Sequence, residues 1–419
     1  MRADPPPPGP APSVVTWETT QACDLACLHC RPSARPDRDA RELTTGEGKR
    51  LMEAARAFGS PRFVLAGGDP LKRPDAVELV EHGARIGLRV EMAPSGTPLM
   101  TPDAVRRLAD AGLARLAVAL DGASPEVHDR IRGVPGAWER SVRTLRAARE
   151  LGLATRVDTS VPRDGLDELE PLVALLGGLG ISLWCVSLAV PAGRARPRDF
   201  ATPGELEAAF NRLYELSSAA PFEVESTRAP QYRRVVLQRR VSERRVSEGG
   251  RRAAPLVPGS GFAAGGEGTG RAAVGAGDGR GSLFVSHTGE IRPSASLPLG
   301  AGNVRTHDLA DAYRGGEPFR ALRDPDQLRG KCGACEFRQV CGGSRGRAFA
   351  MTGDHLESDP FCAYVPGPWR KRVARGEAEE PDAYFARRIP GWRPGGGVDP
   401  GPRLVTLRRS PGAGGGGGA

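Results

Sequence analysis

From Val14 onward, short continuous or alternating apolar runs take turns with stretches in which apolar positions recur every three to four residues. The first pattern predicts strands at residues 14–19, 62–66, 89–93, 115–120, 155–161 and 183–190. The second predicts amphipathic helices between them. The first helix opens with the capping box Thr44-x-x-Glu47 and carries Leu51, Met52, Ala55 and Phe58 on one face. Strands alternating with helices imply parallel pairing through right-handed crossovers, so this region reads as α/β, a partial (β/α)6 barrel. In such barrels the loops that follow the strands line the functional site.

The pattern changes beyond this region. Thr202-Pro-Gly-Glu205 opens another helix, a basic segment follows, and the glycine-rich residues 249–281 read as a linker or lid. A second, small α+β domain is expected over 282–366, its first element a hairpin at 283–293 centred on His287-Thr-Gly-Glu290. The expected division is a disordered 1–13, a core at 14–220, the basic and glycine-rich segment at 221–281, the small domain, and a disordered tail at 367–419.

Composition narrows the class. With 39% hydrophobic residues the chain can build a core, while 56 glycines and 38 prolines demand long loops. The N-terminus lacks a basic start followed by an apolar stretch, and the run at 181–190 is too short to span a bilayer, which predicts a cytoplasmic protein without membrane contact. The net charge is +9, and nine arginines against two acids fall within 228–252. Only four lysines occur, a bias expected of a GC-rich genome, so single arginines carry little weight. The pairs at Arg233-Arg234 and Arg239-Arg240 form a candidate dock for an anionic substrate. Their ordinary reading is a solvated helix face. Aromatic residues make up only 5% and do not interleave with the basic stretch, which disfavours a nucleic-acid-binding surface.

The eight cysteines are the sharpest signal. Their short intervals and the absence of a secretion signal exclude a disulfide framework and point to thiolates converging on metal. Cys23-x3-Cys27-x2-Cys30 supplies three thiolates with His29 between two of them, and three leave one iron of a cubane cluster open to a small molecule. Cys332, Cys335, Cys341 and Cys362 supply four, enough to saturate a cluster or close a zinc site. Cys185, among apolar residues, reads as a buried inert thiol.

The CxxxCxxC loop, followed one βα unit later by Gly67-Gly68-Asp69-Pro70, resembles the signature of the radical S-adenosylmethionine (SAM) superfamily. The resemblance implies a [4Fe-4S] cluster on Cys23, Cys27 and Cys30, with SAM bound at its open iron. It further implies SAM contacts from Gly67, Gly68 and Asp69, and from Ser95 and Asp121 after the third and fourth strands. The four later cysteines resemble the SPASM or twitch extension, which implies one auxiliary [4Fe-4S] cluster. Ser294 and Ser344 stand where related chains often have cysteine. Gly330-Lys-Cys-Gly-Ala-Cys, Cys341-Gly-Gly-Ser-Arg-Gly-Arg and Met351-Thr-Gly-Asp354 resemble a subgroup near the haem synthase of the sirohaem-dependent pathway and the pyrroloquinoline-quinone-type maturases. The implied activity is reductive cleavage of SAM to a 5′-deoxyadenosyl radical that abstracts hydrogen. The implied substrate is an anionic tetrapyrrole or, alternatively, a ribosomal peptide, and the implied electron donor is a ferredoxin or flavodoxin. A metal-bound, non-enzymatic nucleic-acid regulator is the remaining alternative.

Overall fold

The computed structural model describes residues 10–196, 199–247 and 277–398. The six expected strands form as β1 (Val14–Thr20), β2 (Arg62–Gly67), β3 (Arg89–Met92), β4 (Arg115–Ala119), β5 (Thr155–Val161) and β6 (Leu183–Leu188), each parallel to the next. Three further strands extend the sheet. The polar strand β7 (Glu223–Thr227) pairs with β6, while β8 (Ser282–Val285) pairs in parallel with β1 and in antiparallel with β9 (Ile291–Arg292). The order is β7-β6-β5-β4-β3-β2-β1-β8-β9.

Helices α1 (Thr45–Arg56), α2 (Ala76–Arg85), α3 (Pro102–Asp110), α4 (Pro125–Arg132), α5 (Ala137–Glu150), α6 (Leu169–Leu179) and α7 (Pro203–Ala219) connect the strands. The capping box at α1 is present: Glu47 N donates to Thr44 Oγ1 at 3.2 Å, and Thr44 N donates to Glu47 Oε2 at 2.8 Å. Leu51, Met52 and Ala55 enter the core with Trp17 and Phe63. At the strands' N-terminal ends the buried Glu91 accepts from Arg156 at 2.8 Å and from Arg115 at 3.4 Å. This charge cluster lies away from the cysteine loop, which follows β1 at the opposite end.

Two expected boundaries are corrected. The divisions at 220/221 and 281/282 fall within one sheet, because β7 and β8 are its added strands. Backbone hydrogen bonding to β1 and β6 outweighs the loop-like composition around them. The segment 367–398 is ordered: α8 (Gln231–Ser247), α9 (Leu309–Gly315), α10 (Glu317–Arg323), α11 (Gly330–Gly333) and α12 (Arg345–Thr352) are followed by α13 (Gly367–Ala374), α14 (Pro381–Ala386) and the hairpin β10 (Trp392–Arg393) and β11 (Gly397–Val398). Trp369, Tyr384, Phe385 and Ile389 join the same buried apolar cluster as Val15 and Trp17. Aromatic area, about 150–250 Å² per ring, explains how a glycine- and proline-rich segment still packs. The expected disorder at 1–9 and 399–419, and most of the glycine-rich segment, lie outside the described residues. Among the described residues no helix is long and apolar enough to cross a membrane.

Candidate active site

The cysteine loop is clamped by backbone. Gly68 N donates to Thr20 O at 2.8 Å and Asp69 N to Ala22 O at 2.7 Å, tying the turn after β2 to the chain that enters the loop. A Cβ on Gly68 would stand 2.3 Å from Ala22 O, so only glycine permits this approach. On the loop's other side, Gly193 has φ +64 and an added Cβ would lie 2.1 Å from Cys30 O, while Arg194 N donates to Cys30 O at 3.1 Å. Cys23, Cys27 and Cys30 face one cavity of about 280 Å³, together with His29, Gly67 and Gly68.

Backbone N–H groups aim at the sulfurs, as a thiolate cluster requires. Leu25 N lies 3.4 Å from Cys23 Sγ and Ala34 N 3.3 Å from Cys30 Sγ, and Arg132 Nη1 stands 3.8 Å from Cys27 Sγ. Withdrawal from water pushes the His29 pKa down to about 4, against the pull of Asp121, so the imidazole is neutral at pH 7. Ser95 also borders the cavity, its Oγ donating to Gly68 O at 2.7 Å and lying 3.4 Å from Cys23 Sγ.

Asp69 and Asp121 do not reach this cavity. Asp69 is fully buried: its carboxylate accepts from Thr97 Oγ1 at 2.6 Å, Leu71 N at 3.1 Å and Ser95 N at 3.3 Å. Pro70 starts a tight turn, and the Asp69 side chain caps it instead of facing a ligand. Asp121 accepts from Ser160 N at 2.9 Å and pairs with Arg132 at 2.8 Å, so it aims Arg132 at Cys27. Burial works to raise the Asp121 carboxyl, but the Arg132 charge, together with the neighbouring histidines and the Ser160 N–H, holds it low.

Sequence reasoning missed a second set. Glu18, on β1, borders the cavity, pairs with Arg31, and lies 3.1 Å from His287 Nδ1 on the β8–β9 hairpin. Burial works to raise this carboxyl, yet Arg31 and His287 hold it down at about 2. These groups lie up to 269 residues apart, so no local pattern could announce them.

The four later cysteines meet around one small cavity of about 20 Å³, with Arg234, Lys331 and Tyr364 in its wall. Gly343 N lies 3.4 Å from Cys341 Sγ, Phe337 N 3.4 Å from Cys335 Sγ, and Arg345 Nη2 3.6 Å from Cys332 Sγ. Burial pushes the Cys335 thiol up to about 12 and the Cys362 thiol up to about 11, so only a metal would keep these sulfurs as thiolates. Four thiols around one cavity are the donor type that four-thiolate ligation uses. Ser344 is not part of it: its Oγ caps α12 by accepting from Arg347 N at 3.3 Å. Ser294 lines a different cavity.

That cavity, of about 400 Å³, fills the barrel interior and shares Thr16, Ala66, Asp158, Ser160, Arg228 and Phe284 with the cysteine-loop cavity. Cys185 borders it: the thiol is buried, as expected, but faces this chamber with Arg156 and Glu225. A third cavity of about 250 Å³ continues past Arg228, Arg233 and Asp278 to Cys341. The arginine pairs divide. Arg234 is buried, paired with Glu207 and stacked on Tyr364, and Arg239 meets Glu215 and the Tyr214 ring, whereas Arg233 faces the chamber.

A parallel βα sheet with a three-cysteine loop after its first strand, closed over a ligand-sized cavity, is the arrangement of a radical SAM enzyme. Residues 17–176 match the Radical SAM superfamily. The chain is 37% identical over 357 residues to the AdoMet-dependent heme synthase of Methanosarcina barkeri, across 85% of this chain and 98% of that one. It therefore belongs to the radical SAM superfamily, in the group that holds these heme synthases. The PqqA peptide cyclase of Bradyrhizobium diazoefficiens is 28% identical over 361 residues, 85% of this chain and 87% of that one. Among solved structures, Streptococcus suis SuiB bound to S-adenosylmethionine is similar in fold, with a TM-score of 0.63 at 14% identity, covering 84% of this chain and 78% of that one.

Proposed function

We propose that this radical SAM enzyme oxidatively decarboxylates propionate side chains of a tetrapyrrole. The observation that carries the reading is the 400 Å³ chamber, which opens onto the cysteine-loop cavity and has Arg228 and Arg233 in its wall. When bound, the three-cysteine [4Fe-4S] cluster and SAM supply the 5′-deoxyadenosyl radical that abstracts hydrogen. In the net change each propionate loses one hydrogen atom, one electron and carbon dioxide and becomes a vinyl group. Cys23, Cys27 and Cys30 would hold the first cluster, and the turn at Gly67-Gly68 with Ser95 would border SAM. Cys332, Cys335, Cys341 and Cys362 would hold an auxiliary cluster suited to accept the electron, because all its positions are taken by protein. The barrel excludes water from the radical, and its arginines orient the carboxylate next to the carbon that reacts. An external one-electron donor, a ferredoxin or flavodoxin, would reduce the first cluster.

The test is anaerobic turnover of reconstituted, reduced protein with SAM and an iron porphyrin bearing propionates. Expected are 5′-deoxyadenosine and a product lighter by 46 mass units, roughly one carbon dioxide and two hydrogens per side chain once the charge is counted. Formation of 5′-deoxyadenosine without porphyrin change, together with modification of a peptide, would favour the maturase reading that the PqqA peptide cyclase relative supports.

A further inference from the structure

We propose that Arg228 is the anchor for a substrate carboxylate, placed where the three connected cavities meet. The inference rests on the tetrapyrrole reading and names the residue that would give it specificity. Arg228 is the residue common to the cysteine-loop cavity, the barrel chamber and the cleft that leads to Cys341. A carboxylate held there lies between the two cysteine sites.

Two independent features mark it. The first is backbone strain: among the described residues only Ser33 and Arg228 are non-glycine residues with positive φ, at 52° and 60°, and both flank this site. Left-handed backbone disfavours a long side chain, and such residues persist where their surroundings impose them, often at ligand sites. Here β7 on one side and the buried Ala229 and Gln231 on the other hold the turn. The second is charge. Arg31, Arg132, Arg156 and Arg234 each have a carboxylate within 4 Å. Arg228 has neither an ion pair nor a hydrogen bond among the described residues, and it faces Asp158 and Asp278 only at longer range. Its side chain is exposed and lines all three cavities. A guanidinium so placed gains two parallel hydrogen bonds and a counter-charge from one carboxylate.

The experiment compares Arg228→Asn with the parent. Asparagine tolerates left-handed backbone and removes the charge. Affinity for an iron porphyrin bearing four propionates, and for its tetramethyl ester, is read from the porphyrin absorption band in the reconstituted protein. The parent is expected to favour the acid over the ester by at least tenfold, and Arg228→Asn to lose most of that preference. A kept preference in Arg228→Asn overturns the proposal. A kept preference with a matching loss of SAM affinity assigns the guanidinium to the methionine carboxylate instead. The thermal midpoint gives a readout independent of substrate: Arg228→Asn is expected to match or exceed the parent, since strain and repulsion from Arg31 are relieved. A fall of several degrees makes Arg228 a structural residue and also overturns the proposal. If the parent binds neither porphyrin, the tetrapyrrole reading fails alone, and the thermal midpoint decides whether Arg228 is a ligand anchor.

Discussion

Cys23, Cys27 and Cys30 border a cavity of about 280 Å³, whereas Cys332, Cys335, Cys341 and Cys362 enclose one of about 20 Å³. Both sets receive backbone N–H groups at their sulfurs. The contrast is in the space beside them and in the number of donors. Three thiolates with room alongside would leave an iron to bind SAM. Four thiolates packed against Arg234, Lys331 and Tyr364 leave no place for a second ligand. On the proposed reading, the packing around similar ligands is what would separate making a radical from disposing of an electron.

The largest effect that sharpens this contrast comes from removing the ligands. The triple variant Cys23, Cys27, Cys30→Ala is expected to reduce 5′-deoxyadenosine formation to background. The pair Cys332→Ala and Cys341→Ala is expected to keep it while product formation falls at least a hundredfold. Iron content and circular dichroism establish that each variant is folded. Loss of SAM cleavage in a folded Cys332, Cys341 variant would merge the two roles and break the comparison.

A smaller effect concerns placement. Gly68→Ala puts a Cβ 2.3 Å from Ala22 O, so the cysteine loop must shift. SAM cleavage is expected to fall about ten- to hundredfold, the loss that a displacement of about 1 Å produces. Parent-like rates would show that the loop is not positioned by this turn.

Arg132 offers a finer test. Its guanidinium stands 3.8 Å from Cys27 Sγ, held by the buried Asp121. A nearby cation favours the reduced, more negative cluster, so Arg132→Gln is expected to lower the reduction potential and Arg132→Lys to restore part of it. A potentiometric titration followed by electron paramagnetic resonance reads the shift.

The smallest effect is on stability. The buried His128 accepts from Asp121 N at Nδ1, at 2.9 Å, and burial holds its pKa down at about 4. An unfolded histidine titrates near 6.5, so between these values the unfolded chain binds the extra proton and stability rises with pH. From pH 7 to pH 5 the fold should lose about 2 kcal/mol from this residue, an order-of-magnitude figure for a buried group. His128→Asn should show less of that slope in thermal midpoints, and an equal slope would acquit His128.

The six inner strands were legible because each is a short continuous or alternating run of β-forming residues, and their ends differ from expectation by two residues or fewer. Both cysteine sets were legible as groups because their short spacing stands out, and the structure brings each set to one cavity. The hairpin of β8 and β9 was legible too, but its parallel pairing with β1 was not, nor was β7, which reads Glu-Val-Glu-Ser-Thr. Their place comes from partners across the sheet. Trp369, Tyr384 and Phe385 were a usable sign that the chain beyond residue 366 packs. Asp69 looked like a ligand contact and became a turn cap because Thr97, far along the chain, takes its carboxylate. Arg132 and Arg228 were hidden among many arginines, and only their surroundings separate them from the rest.

The pairing of β8 with β1 bears on how the molecule is made. During synthesis β1 emerges first, yet one of its two edges stays open until residues 282–285 leave the ribosome, on the order of 15–55 s later at 5–20 residues per second. An open strand edge recruits other strands, so a nascent chain of this protein invites early mispairing and chaperone attention. A fragment that ends before β8 inherits the same exposed edge permanently, and is expected to aggregate where the longer chain does not.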